Sequence, residues 1–170
     1  MSEFIHLRHK PYSQPATPNQ LVLAIPQLRS NVNLARIVRA AGCCGVKKII
    51  ACGNAKIDPK IARDSLDFLE VQRNRSLPPV LKGLKSDGYR IVGLEQTTQS
   101  HNLHEYQFQM KSVLVIGHER LGMSDSELAL LDDSIEIPVF GLPLSYNVAT
   151  ATAMALYEYC RQWAQQSSSS

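Results

Sequence analysis

The sequence predicts one α/β domain built on a mostly parallel sheet flanked by helices, and three observations lead there. Short apolar runs of strand length recur along the chain. Stretches with apolar residues at helical spacing separate them, and glycines, prolines and small polar residues mark the joins. Unbroken apolar runs, rather than alternating ones, are what strands covered on both faces require.

Taken in order, residues 21–25 (LVLAI) form the first predicted strand. Residues 33–43 follow as a helix, with Leu34, Ile37, Val38 and Ala41 on one face. Residues 48–52 (KIIAC) are the second strand. A helix over 79–86 gathers Val80, Leu81 and Leu84, and a turn at Gly88 leads into the third strand, 90–94 (RIVGL). Residues 113–116 (VLVI) and 134–137 (SIEI) make the fourth and fifth strands, with a short helix over 126–131 between them. The longest helix is predicted from 145 to 163, with Val148, Ala151, Ala155 and Tyr159 in one stripe. Pro11, Pro15 and Pro18 among Arg8, His9 and Lys10 make residues 1–19 an extended N-terminal arm. Residues 165–170, closing on four serines, read as a disordered tail, which leaves 20–164 as the folded domain.

At 170 residues the chain has the length of one ordinary domain, and a 44% hydrophobic share supplies a core for it. The net charge of +3 tolerates a polyanionic partner without identifying one. Cys43, Cys44, Cys52 and Cys160 show no CxxC spacing, so neither a zinc site nor a disulfide framework is expected, and reduced thiols in a cytoplasmic protein fit best. No cationic segment precedes a long apolar run and no stretch nears ~18 apolar residues, so neither a signal peptide nor a membrane span is expected.

In α/β sheets ligands gather beyond the carboxyl ends of the strands, and three segments there carry polar chemistry. The first is NVNLARIVRAAG, residues 31–42, where Asn33 can cap the helix and Arg39, six residues on, points from another face. Taken alone, a cap and a solvated arginine explain it. The second is VIGHERLGMS, residues 115–124, a buried strand running into a turn with two glycines that would let a ligand approach the backbone. It holds no GxGxxG, and the HExxH partner position is Gly122, so no metal is expected at His118 and Glu119. The third is IPVFGLPLSYNVA, residues 137–149, a strand end, a loop with Gly141 and Pro143, and Ser145 as the expected helix cap. No GxSxG elbow surrounds Ser145, so it is not read as a hydrolase nucleophile.

Together these segments resemble the three signature motifs of the SpoU branch of the SPOUT methyltransferases, in the family's order and spacing, over about residues 20–163. Asn33 and Arg39 match the first motif, Gly117 and Glu119 the second, and Ile137-Pro138 with Ser145-x-Asn147 the third. The stretch GYRIVGLEQT, residues 88–97, is similar to the segment before the second motif in tRNA-guanosine ribose methylases of this group. Tyr146 stands where leucine or methionine is usual, and Ala35 where glycine often stands.

The resemblance implies a C-terminal trefoil knot, S-adenosylmethionine as cofactor, and methyl transfer to a ribose 2′-hydroxyl of RNA, tRNA before rRNA. It implies a homodimer with its site near the interface, and with no long apolar run in the chain no membrane partner is expected. Leu94, Gly117, Ile137, Leu144 and Ser145 would line the cofactor cleft, and Arg39, Asn33, Glu119, Ser145 and Asn147 would form the reacting centre. For Arg39 two roles stay open: activating the hydroxyl, or orienting it and gripping phosphate, since guanidinium has five donors and no acceptor. The alternative reading is an RNA-binding protein that keeps the fold without catalysis.

Overall fold

A computed structural model describes residues 3–15 and 17–164; the expected tail, 165–170, lies outside the described residues. Seven strands form one sheet: β1 Val22–Ile25, β2 Lys48–Cys52, β3 Glu70–Asn74, β4 Arg90–Leu94, β5 His101–Asn102, β6 Ser112–Ile116 and β7 Asp133–Glu136. Their order across the sheet is β3-β2-β1-β6-β4-β7-β5, and every pairing is parallel. Five helices connect them: α1 Asn31–Cys43, α2 Pro59–Ala62, α3 Leu77–Ser86, α4 Asp125–Leu128 and α5 Val148–Ala164, with a 3-10 turn over Arg63–Asp67.

The apolar runs become central strands because both of their faces are covered. Leu23, Ile25, Ile49, Val92, Leu114 and Ile135 point to one side, where they pack with Leu34, Ile37 and Val38 of α1 and Ala155, Leu156 and Tyr159 of α5. Val22, Ala24, Ile50, Ile91, Val113 and Val115 point to the other side and meet Leu77 and Leu81 of α3. Successive side chains of a strand alternate between faces, so one run feeds both cores. Two strands were not expected: β3 (EVQRN) is a mostly polar edge strand, and β5 is a two-residue edge. Edge strands need no apolar run, and neither left an apolar signal in the sequence.

Several boundaries differ from expectation, and those of α1, α5 and α4 bear on the motifs. Helix α1 begins at Asn31 and its cap is Ser30, whose hydroxyl accepts from the Asn33 N–H; Asn33 lies inside the first turn. Helix α5 begins at Val148, not at Ser145, and the side chain of Asn147 accepts from the N–H groups of Ala149 and Thr150 at 2.8 and 3.3 Å. The buried stripe of α5 runs Ala149, Thr152, Ala155, Leu156 and Tyr159, so Val148 and Ala151 sit at its margin. Helix α4 is a single turn closed by a capping box between Ser124 and Glu127. Among the described residues, 3–15 and 17–19 carry no helix or strand.

At the amino ends of β4 and β7, Arg90 donates to both oxygens of Asp133 at 2.6 and 2.9 Å, and the Tyr106 hydroxyl donates to the same carboxylate at 2.7 Å. The Arg90 guanidinium holds the Asp133 carboxyl below its usual range. This cluster fastens the sheet at the end opposite the three motifs.

Candidate active site

Chain order and sheet order part company at β6, which enters between β1 and β4 late in the chain. The loops leaving the carboxyl ends of β1 and β6 therefore lie side by side, the crevice position where α/β sheets bind ligands. The loop after β1 leads into α1 and carries the first motif. The loop after β6 carries the second, and one side chain ties them: the Glu119 carboxylate accepts from the N–H of Arg29 and of Ser30, each at 3.0 Å.

Asn33 joins this pair. Its amide nitrogen reaches Glu119 Oε1 at 3.5 Å, and its amide oxygen accepts from Asn147 Nδ2 at 3.2 Å. Asn33, Glu119 and Asn147, one from each motif and up to 114 residues apart in the chain, thus form one hydrogen-bonded row. Burial by itself would raise the Glu119 pKa, but the backbone donors at Arg29 and Ser30 and the Asn33 amide outweigh it, so the net shift is downward. The carboxylate is held ionised.

The turn that presents Glu119 is built around its neighbours. His118 and Gly122 exchange backbone hydrogen bonds at 3.2 and 3.1 Å, with Gly122 at φ +66°. His118 Nδ1 accepts from the N–H groups of Arg120 and Leu121, which leaves Nε2 facing Glu119 at 3.5 Å. Glu95, one residue beyond β4, braces the other side: Oε2 accepts from the Met123 N–H at 3.1 Å and Oε1 from that of Gln96 at 3.0 Å. A Cβ on Gly117 would sit 3.1 Å from Glu95 Oε2 and 3.1 Å from the carbonyl carbon of Gly122, so the packing there selects glycine. Glu95 was not singled out in the sequence as a site residue. Its signal was position: a carboxylate immediately after a buried strand, facing a glycine turn.

Of the residues expected at the cofactor, Leu94, Gly117 and Ile137 come together. Leu94 is in register with Ile116 and with Ile135, so Leu94, Gly117 and Ile137 lie at the carboxyl rim of the adjacent strands β4, β6 and β7, all partly buried. Two aliphatic side chains around a glycine backbone suit a flat heteroaromatic ring that is read by peptide groups. Leu144 and Ser145 stand instead on an exposed loop over 140–146, beside Phe140 and Leu142. A groove of about 670 Å³ next to that loop is lined by Ile137, Pro138, Phe140, Tyr146, Met154 and Tyr157, among others. Leu94, Gly117, Leu144 and Ser145 do not line it.

Arg39 is exposed, and among the described residues its guanidinium makes no hydrogen bond to the Asn33–Glu119–Asn147 row. It lines a second groove with Arg36 and Lys60. Six residues of helix turn the side chain well away from Asn33, as the spacing required. Among the described residues no group of three His, Cys, Asp or Glu side chains is placed to hold a metal ion. No helix among them is long and apolar enough to cross a membrane.

Comparison with known proteins follows the same lines. The family described as SpoU rRNA Methylase matches residues 20–157. The tRNA (guanosine(18)-2′-O)-methyltransferase of Escherichia coli K12 is 27% identical over 145 residues, 84% of this chain, which spans 63% of that relative's length. The crystal structure of the Aquifex aeolicus TrmH/SpoU tRNA modifying enzyme superposes with a TM-score of 0.84 at 27% identity, over 90% of this chain and 80% of that one. The SpoU methyltransferase AviRb of Streptomyces viridochromogenes, solved in complex with the cofactor AdoMet, superposes with a TM-score of 0.75 at 28% identity, over 87% of this chain and 62% of that one.

Proposed function

This chain belongs to the SpoU rRNA methylase family, and on that premise we propose that it transfers a methyl group from S-adenosylmethionine to a ribose 2′-hydroxyl of RNA, with tRNA the favoured substrate over rRNA. The observation that carries this reading is the hydrogen-bonded row Asn33–Glu119–Asn147, which joins all three motifs at the crevice of the sheet.

S-adenosylmethionine supplies a methyl group made electrophilic by its sulfonium. What remains for the protein is to hold the cofactor and to align one ribose oxygen. Leu94, Gly117 and Ile137 would hold the adenosine end, with Leu144 and Ser145 contributed by the 140–146 loop. Asn33 and Asn147 fix each other's amide orientation, so the second N–H of each amide nitrogen would meet a ribose in a set direction. Glu119, ionised and saturated by backbone donors, anchors the turn rather than exchanging protons. Arg39 has no acceptor for the hydroxyl proton, and a planar fork that orients an oxygen or grips a phosphate is the role its chemistry favours.

We assign the working form to a homodimer. Phe140 (91% exposed), Leu142 (87%) and Tyr157 (69%) offer apolar surface around the 670 Å³ groove, and a second copy covering it would also order the loop that bears Leu144 and Ser145. The trefoil knot and a cytoplasmic setting, in which Cys43, Cys44, Cys52 and Cys160 stay reduced, complete the proposal.

Calorimetric titration with S-adenosylmethionine, with and without a tRNA transcript, followed by mapping of ribose methylation, tests it. Micromolar binding and a single methylated ribose are expected. Absence of cofactor binding in both conditions overturns the enzyme reading and leaves the RNA-binding alternative.

A further inference from the structure

We propose that the groove between α1 and α2 is a binding site for an RNA backbone phosphodiester, gripped by Arg36, Arg39 and Lys60, and that Lys60 and Arg36 are positioning residues for the ribose presented to the Asn33 row. This rests on the reading of the chain as an RNA methyltransferase.

The groove, of about 490 Å³, is lined by Arg36, Arg39, Ala40, Cys43, Lys60 and Ile61. Arg36, Arg39, Ala40 and Cys43 recur at helical spacing, so they form one stripe along α1, with Lys60 and Ile61 of α2 as the opposite wall. Its lining holds three cations and no carboxylate, and among the described residues none of the three takes part in an ion pair. The nearest acid in sequence, Asp58, is spent on the cap of α2, accepting from the Lys60 N–H at 2.9 Å. Arg36 and Arg39, three residues apart on one helix, repel each other, and an anion between them and Lys60 removes that repulsion.

The opposing wall is fixed by local geometry. Gly42 lets the 3-10 turn come down on α1: a Cβ there would collide with the Ser65 hydroxyl and lie 2.6 Å from its Cβ. Ser65 Oγ in turn donates to the Arg39 carbonyl at 3.5 Å. Arg63, at the junction of α2 and this turn, is held at φ +57°, ψ −142°, a conformation costly for a side-chain-bearing residue. Strain of this kind persists where the surroundings demand one chain path, and the path here sets Lys60 against the two arginines. Along α1 the groove lies about 9 Å from Asn33, taking ~1.5 Å per residue. A strand held by its phosphate in the groove can therefore reach the row with its sugar.

The test measures affinity of an unmodified tRNA transcript against salt for the intact chain. Arg36→Ala/Lys60→Ala is expected to weaken binding about tenfold at moderate salt and to reduce the slope of log K against log salt by about 0.7–0.9, the loss of one phosphate contact. Cofactor affinity and the thermal midpoint should stay at wild-type values. Arg36→Lys/Lys60→Arg should restore the slope, and Lys82→Ala, on α3 across the sheet, should leave it unchanged. In single-turnover transfer the half-saturating RNA concentration should rise more than the saturated rate falls. An unaltered slope in the folded double alanine variant, or an equal loss from Lys82→Ala, overturns the groove assignment. Failure of the wild-type chain to bind S-adenosylmethionine would overturn the methyltransferase reading instead, while the slope still decides the groove.

Discussion

Replacing Glu119 by glutamine changes one oxygen into an amide nitrogen and removes the charge from a side chain only 16% exposed. Both carboxylate oxygens are in use, Oε2 by the Arg29 N–H and Oε1 by the Ser30 N–H, so a glutamine can accept from only one of them. The Arg29 contact is at the surface, where water substitutes for a lost partner; the Ser30 contact is half-buried. A hydrogen bond to a charged acceptor contributes about 1.5–3 kcal/mol, so the expected loss is about 2 kcal/mol of folding stability. For a domain of this size that lowers the thermal midpoint by about 4–8 °C. The pH dependence is a second signature. The folded-state pKa of Glu119 lies below its ordinary 4.5, so its contribution is fully present above that value and is lost as pH falls through the folded pKa. Urea unfolding of both proteins from pH 7 to pH 3 should show a gap that narrows toward the acid end. Equal stability at pH 7, or a gap that persists unchanged at pH 3, would refute the assignment of Glu119 as the ionised tie between the β1 and β6 loops.

Other substitutions probe the rest of the site. Asn147→Asp keeps the acceptor that caps α5 but cannot donate to Asn33, so stability should stay within about 0.5 kcal/mol of wild type while single-turnover methylation falls; Asn147→Ala should cost about 1 kcal/mol more. Arg39→Ala should abolish transfer at saturating cofactor and RNA with cofactor affinity retained by calorimetry, and a loss of similar size in Arg39→Lys would point to the planar fork rather than the charge. Tyr157→Asp places a charge in the apolar groove and should convert a dimer to a monomer by light scattering, with unfolding of the protomer little changed. Ser30→Ala removes the α1 cap and should cost about 1 kcal/mol by urea titration.

The parts of this architecture visible in the sequence are those whose physics is local. Residues 48–52 and 90–94 coincide with β2 and β4, because strands covered on both faces must be apolar throughout. Strand β3 was invisible because an edge position lets Glu70, Gln72 and Arg73 stand in a strand. The helix caps were misplaced for a related reason. Asn33 and Asn147 are both short amides near helix starts, where either capping or site chemistry explains them. Only the fold shows that Ser30 caps α1, freeing Asn33 for the row, while Asn147 serves both purposes. The motifs also grouped Arg39 with Asn33, yet the helix sends them to different surfaces. Spacing alone held that fact, but nothing in the sequence supplied Lys60 as the neighbour of Arg39.

The late entry of β6 bears on how this protein is made. Ile25 ends β1, and Ser112, the first residue of the strand that pairs with it on the inner side, follows roughly ninety residues later. At ribosomal speed that interval is on the order of ten seconds. Throughout it β1 displays a bare apolar edge, with β4 adding its own only near the end, and edges of this kind pair readily with other chains. The nascent polypeptide must keep the β3-β2-β1 half-sheet and the lone strand β4 apart until β6, which unites them, emerges; β7, the other neighbour of β4, comes later still. Synthesis at low temperature or with abundant chaperone should therefore raise the soluble yield more than it does for a sheet assembled in chain order.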